Sequence, residues 1–104
     1  MKRFIKTTVL AAAFLVAGAA QANHEVNGVM INRVYIDPSD IVVLTNTDNG
    51  CGSPFFHLSR GNVNFKEMFA FIFLAYKNQT PINFEVLDVC NGDRIEISHG
   101  SMGE

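Results

Sequence analysis

Two cysteines and three histidines are the most reactive side chains in this sequence, and their spacing bounds what they can do. Cys51 and Cys90 form a disulfide, or else one of them is a nucleophile assisted by His24, His57 or His99. One thiol can stay unpaired only if the other does too, and neither flank reads as a catalytic turn. The even count, with the export signal described below, favours the disulfide. Closing that loop would stabilise the fold by about 4 kcal/mol in the chain-entropy picture. No second His or Cys stands at metal-ligand spacing, so His57 reads as a half-exposed strand residue and not as a ligand. Asp48, Asn49 and Gly50 could line a calcium site, but one cluster lacks the ligand number and spacing of a dedicated loop, and a plain turn is favoured. The carboxylates are scattered singly. No Gly-x-Ser-x-Gly elbow, phosphate loop or His-Glu-x-x-His is present. The expectation is a protein without catalytic residues, metal or cofactor.

The first 22 residues have the anatomy of a secretory signal peptide. Met1-Lys2-Arg3 and Lys6 form a basic start, Val9 to Ala20 an apolar run, and Ala20-Gln21-Ala22 a small-residue cleavage site. The run is short for a membrane anchor. Residues 23–104 would then form one small domain, exported to the periplasm or beyond. Loss of Lys2, Arg3 and Lys6 takes the eight basic residues to five against ten acidic ones, a net charge of −5. That balance argues against nucleic acid and anionic lipid, which need a basic field. No later apolar run is long enough to cross a bilayer.

The elements that would position these residues follow from hydrophobic periodicity. Asn64 to Gln79 (NFKEMFAFIFLAYKNQ) is expected to be a helix. Asn64 and Glu67 have the spacing of a capping box, Lys77 suits the last turn, and Pro81 prevents continuation. Phe65, Met68, Phe69, Ile72, Ala75 and Tyr76 gather into one wide stripe that should face the core. Ala70, Phe71 and Leu74 lie on the opposite side, where a polar surface is expected. A helix apolar nearly all round is buried nearly all round, so these three are candidates for contact with another subunit.

Val26 to Ile36 reads as a strand, with Gly28 marking a bulge or a close backbone approach and neither parity cleanly apolar. Asp37-Pro38-Ser39-Asp40 is a turn into a second strand, Asp40 to Asn46, completing a hairpin. Thr47 to Pro54 is a loop and Phe55 to Leu58 a brief third strand. After the helix, Ile82 to Val89 and Arg94 to Ser98 alternate with period two about a tight turn at Asn91-Gly92-Asp93. The glycine-rich end, His99 to Glu104, is expected to fray. The order β-β-β-α-β-β in a mainly β chain with one helix is that of a five-stranded OB-fold barrel, the helix plugging one end.

Three pieces carry a likeness to a known family: Asn27-Gly28-Val29-Met30-Ile31, the helix with its aromatic run ahead of Tyr76, and Gln79-Thr80-Pro81-Ile82. In these the chain resembles the cell-binding B subunits of A-plus-five-B bacterial toxins, of the subtilase cytotoxin type. The likeness lies in layout more than in letters. It implies an exported, disulfide-bonded barrel whose helices line the pore of a pentamer, burying Ala70, Phe71 and Leu74. It further implies a glycan ligand and a catalytic A subunit as partners. The B subunits bind sialylated glycans through a serine at the start of the first strand. Asn27 holds that position here and, with Glu25, is the candidate ligand-binding pair. The anchoring hydroxyl is absent, although Asn27 can still hydrogen-bond a sugar hydroxyl. Glu85 and Val86 replace an aromatic pair, and Glu85 would repel a sialic-acid carboxylate. The resulting expectation is a secreted or periplasmic, non-catalytic, self-assembling module that binds a glycan or a protein. The alternative is a periplasmic stress or inhibitor protein on the same barrel, acting on an envelope protein; a small hydrolase is a weaker third.

Overall fold

The computed structural model describes residues 23–103, so the leader and cleavage site expected within residues 1–22 lie outside the described residues. Six strands and one helix follow in the order β1 (Asn23–Val29), β2 (Ile31–Ile36), β3 (Asp40–Thr45), β4 (Phe55–Ser59), α1 (Phe65–Asn78), β5 (Ile82–Asn91) and β6 (Arg94–Ser101). They form a single sheet in the order β1-β5-β6-β4-β3-β2. All neighbouring strands are antiparallel except β4 and β6, which run parallel. The described residues are mainly β with one helix, as their periodicity indicates.

The closed, five-stranded barrel is corrected. The segment expected as one strand is two, because its register shifts between Val26 and Val29, with Gly28 at φ 68°. That bulge lets the chain change partners, from β5 before Met30 to β3 after it. β1 and β2 therefore occupy opposite edges of the sheet although only Met30 separates them. The sheet must curl for its edges to come so close. Among the described residues no ladder joins β1 to β2, and the curl stays open. Asn46 clamps the crossing point: its amide bonds the Met30 carbonyl and its side-chain oxygen accepts from the Met30 amide at 2.9 Å.

The core lies inside the curl. Val29, Ile31, Ile41, Val43, Phe56, Leu58, Ile82, Phe84, Val86, Ile95 and Ile97 come from the inward parity of each strand, and Phe56 and Phe84 pack with ring centroids 5.3 Å apart. α1 adds Met68, Ile72 and Ala75, spaced to share one helix face. Phe65 and Phe69 are only partly buried, and Tyr76, also expected inside, is exposed. The buried stripe is narrower than its letters suggest because the helix lies over one side of the sheet.

Two further expectations change at the chain ends of these elements. Asn64 precedes the helix but makes no side-chain cap; its Nδ2 donates instead to the Ser98 carbonyl at 3.2 Å. The helix stops at Gln79 in the left-handed region, whose amide reaches back to the last-turn carbonyls. The glycine-rich end is also ordered further than expected. His99, Gly100 and Ser101 extend β6 against Glu85, Phe84 and Asn83.

Candidate functional site

Every cysteine and histidine has a defined place. Cys51 and Cys90 are bonded to each other, with Cα atoms 5.6 Å apart, which removes the nucleophilic-thiol alternative. The three histidines sit on different strands, each beside one carboxylate: His24 Nδ1 is 3.3 Å from Asp88, His57 Nδ1 3.1 Å from Asp40, and His99 Nε2 4.0 Å from Glu85. The Asp40–His57 pair is the most enclosed of the three. Among the described residues no hydroxyl or thiol is hydrogen-bonded to His57, whereas the Ser98 hydroxyl lies 3.3 Å from Nδ1 of the exposed His99.

The calcium reading of the loop also resolves into structure. Asp48 accepts the Gly50 amide and Asn49 accepts the Cys51 amide through its side-chain oxygen. Asn49 is fully buried, and its Nδ2 reaches the Phe55 and Asp93 carbonyls. These oxygens and hydrogens organise the loop against the β5–β6 turn. Among the described residues no three His, Cys, Asp or Glu side chains are placed to hold a metal ion.

Asn27 and Glu25 share the exposed parity of edge strand β1. Glu25 stands opposite Glu85 and Glu85 opposite His99, so this end of the sheet gathers two carboxylates. Such an edge repels an anionic sugar. It is polar and open, and the Asn27 side chain makes no hydrogen bond to any described residue.

The three residues expected at a subunit contact separate. Ala70 and Leu74 are exposed, whereas Phe71 turns inward, half-buried against the core and close to Gly100. The outward face belongs instead to Phe73 and Leu74, each 51% exposed, and to Ile36 at 62%. With Phe69, Ala70 and the stem of Lys77 they enclose an apolar hollow of about 570 Å³. Phe65, Phe69 and Phe73 climb the helix as a ladder, with centroids 6.0 and 6.1 Å apart. Phe73 escaped the periodicity argument because it falls between the core stripe and the opposite face.

A second surface was not foreseen. On the outer parity of the sheet, Tyr35, Val42, His57 and Glu96 stand in one row across four strands. Arg33, Leu44 and Phe55 form the row beside it. Tyr35 leans to Phe55 with centroids 6.4 Å apart; Arg33 lies over the Tyr35 ring and Arg94 over Phe55, at 5.8 and 5.9 Å. Two hollows open here. One, of about 260 Å³, is lined by Tyr35, Asp37, Val42, Phe55 and Arg94. The other, of about 420 Å³, is lined by His57, Leu87, Val89, Cys90, Asn91 and Glu96. The signal was present in the outward letters of β2, β4 and β6, but only the strand order makes them neighbours. Neither protein-family models nor curated proteins yield a match to this sequence.

Proposed function

We propose that this chain is a non-catalytic binding module that assembles with copies of itself through the outward face of α1. One observation carries the reading: Ile36, Phe73 and Leu74 stand exposed around an apolar hollow over Ala70. Exposed apolar patches of a few hundred Å² mark interaction sites on small proteins. The occupant is a second copy because this face carries both a ridge and a recess. Phe73 and Leu74 project beside a hollow floored by the small Ala70, so the patch is complementary to itself.

The strand order supports an OB-like reading of the domain, with β1 and β2 as two halves of one bent strand. The disulfide, and the absence among the described residues of a helix long and apolar enough to cross a membrane, are consistent with an exported chain. A ring of five and a separate catalytic subunit rest on the resemblance alone.

Multi-angle light scattering on residues 23–104 at micromolar concentration tests the assembly. The expected result is a discrete oligomer, reduced to monomer by the double change Phe73→Glu and Leu74→Glu with the circular dichroism unchanged. A strict monomer in the unaltered chain overturns the reading and favours an inhibitor-type protein acting alone on another protein.

A further inference from the structure

We infer that Asn91, at the tip of the β5–β6 hairpin, is a site of spontaneous deamidation, and that its isoaspartyl product loosens the clamp between this turn and the disulfide loop. The inference goes beyond the assembly reading and does not depend on it.

The chemistry needs only an asparagine, the backbone amide that follows it, and water. The amide nitrogen of the next residue attacks the side-chain Cγ. A C–N bond forms there, and the carboxamide nitrogen leaves as ammonia, carrying away the proton of the attacking amide. Water then opens the cyclic imide at either of its carbonyls. One opening gives aspartate. The other gives isoaspartate, in which the main chain runs through the former side chain and is one carbon longer. One water is taken up for each ammonia released, and nothing is oxidised or reduced. A following glycine favours the attack, because it has no Cβ to crowd the nitrogen and its backbone rotates freely.

The sequence holds three such pairs, Asn27-Gly28, Asn49-Gly50 and Asn91-Gly92, and the fold treats each differently. Asn49 is fully buried with both ends of its carboxamide bonded, and the Gly50 amide donates to Asp48 at 2.7 Å. Neither attacker nor target is free there. Asn27 is exposed, but the Gly28 amide donates to the Asn83 side-chain oxygen at 3.1 Å, which ties the attacking nitrogen to the neighbouring strand. Asn91 and Gly92 are both exposed. The ladder closes on Asn91 and Arg94, and among the described residues neither the Gly92 amide nor the Asn91 carboxamide has a hydrogen-bond partner. Gly92, at φ 66°, opens the two-residue loop between β5 and β6, the place of glycine in a type II′ turn. No atom stands within 4 Å of where its Cβ would be, so the imide has room to form. Loop tips also open more readily than the strands behind them, and the attack requires such a rotation.

One extra backbone carbon matters at this turn. The Asp93 carbonyl accepts from Asn49 Nδ2 at 2.8 Å and from the Ser53 hydroxyl. The Asn49 side-chain oxygen in turn accepts the amide of Cys51, which is bonded to Cys90 beside Asn91. Lengthening the chain at position 91 shifts the Asp93 carbonyl against a buried carboxamide that cannot follow it. Plain aspartate leaves the backbone unchanged and keeps the clamp. The two products carry the same charge and should differ in stability.

Timed incubation of the full chain in mildly alkaline buffer tests the proposal, read by peptide mass spectrometry with electron-transfer fragmentation to separate aspartate from isoaspartate. Conversion should come first at Asn91, several-fold slower at Asn27, and not at Asn49 while the fold holds. Unfolding in urea should erase that ranking. Asn91→Gln, whose longer side chain closes the ring poorly, should remove the leading product. The aged isoaspartyl chain should unfold at a lower urea midpoint than freshly made Asn91→Asp, which should match the unaltered chain. Earlier conversion at Asn27 or Asn49 overturns the site, as does a folded chain that stays intact at Asn91 while the urea-unfolded chain converts. Equal midpoints for the isoaspartyl chain and Asn91→Asp overturn the loosening of the clamp.

Discussion

Asn49 shows how much a single polar side chain can organise here. It is wholly buried between the disulfide loop and the β5–β6 turn, donating to the Phe55 and Asp93 carbonyls and accepting from Cys51. A buried amide is tolerated when its hydrogen-bonding groups are matched, and truncating it strands its partners. Asn49→Ala should therefore cost about 2–4 kcal/mol in urea unfolding with the disulfide intact. A loss below about 0.5 kcal/mol, the scale of an ordinary surface change, would show that the carbonyls find other partners. Gln79 is a second such residue: it takes the left-handed region without being glycine. Its side chain compensates by donating to the Tyr76 carbonyl at 2.8 Å and to Ile31 at 3.3 Å, tying the helix end to β2.

Between elements, Gly100 on β6 sets how closely Phe71 and Met68 of α1 approach that strand. A methyl group there would lie 2.9 Å from both the Asn83 carbonyl and the Phe71 ring. The carbonyl belongs to the paired strand β5 and cannot move without disturbing that ladder, so of the two contacts the Phe71 ring is the one that can give way. Gly100→Ala should cost about 1–3 kcal/mol by overpacking. Recovery in the double variant with Phe71→Leu would show by a mutant cycle that the two positions are coupled. Additive losses would place the strain wholly on the backbone. The same contact explains why Phe71 faces inward and leaves Phe73 and Leu74 outside.

For the molecule as a whole, the Cys51–Cys90 bond ties the β3–β4 loop to the end of β5 across 39 residues of sequence. Small domains bury too little surface to be generously stable, and total stability is typically about 5–15 kcal/mol. A crosslink worth about 4 kcal/mol is then a large share of it. Replacing both cysteines with alanine should lower the urea midpoint steeply. The m-value should rise, because the unfolded chain expands once the loop is released. An unchanged midpoint would mean that the Asn49 network alone holds the loop.

Local rules were sufficient for the elements themselves. The helix from Phe65, the Asp37–Asp40 turn, the bulge at Gly28 and the alternation of Ile82, Phe84 and Val86 all depend on residues within a few positions of one another. Cysteine count and composition likewise pointed to the disulfide before any geometry was known. What lay beyond reach was long-range. That β1 and β2 part at Met30 to opposite edges depends on which distant strands pair with each half. That Phe71 turns in and Phe73 out depends on a glycine 29 positions away on β6. The hollow between Tyr35, Phe55 and Arg94 exists only because these residues, from three separate stretches, are brought side by side by strand order. Periodicity states which side of its own element a residue occupies; only packing decides what stands across from it.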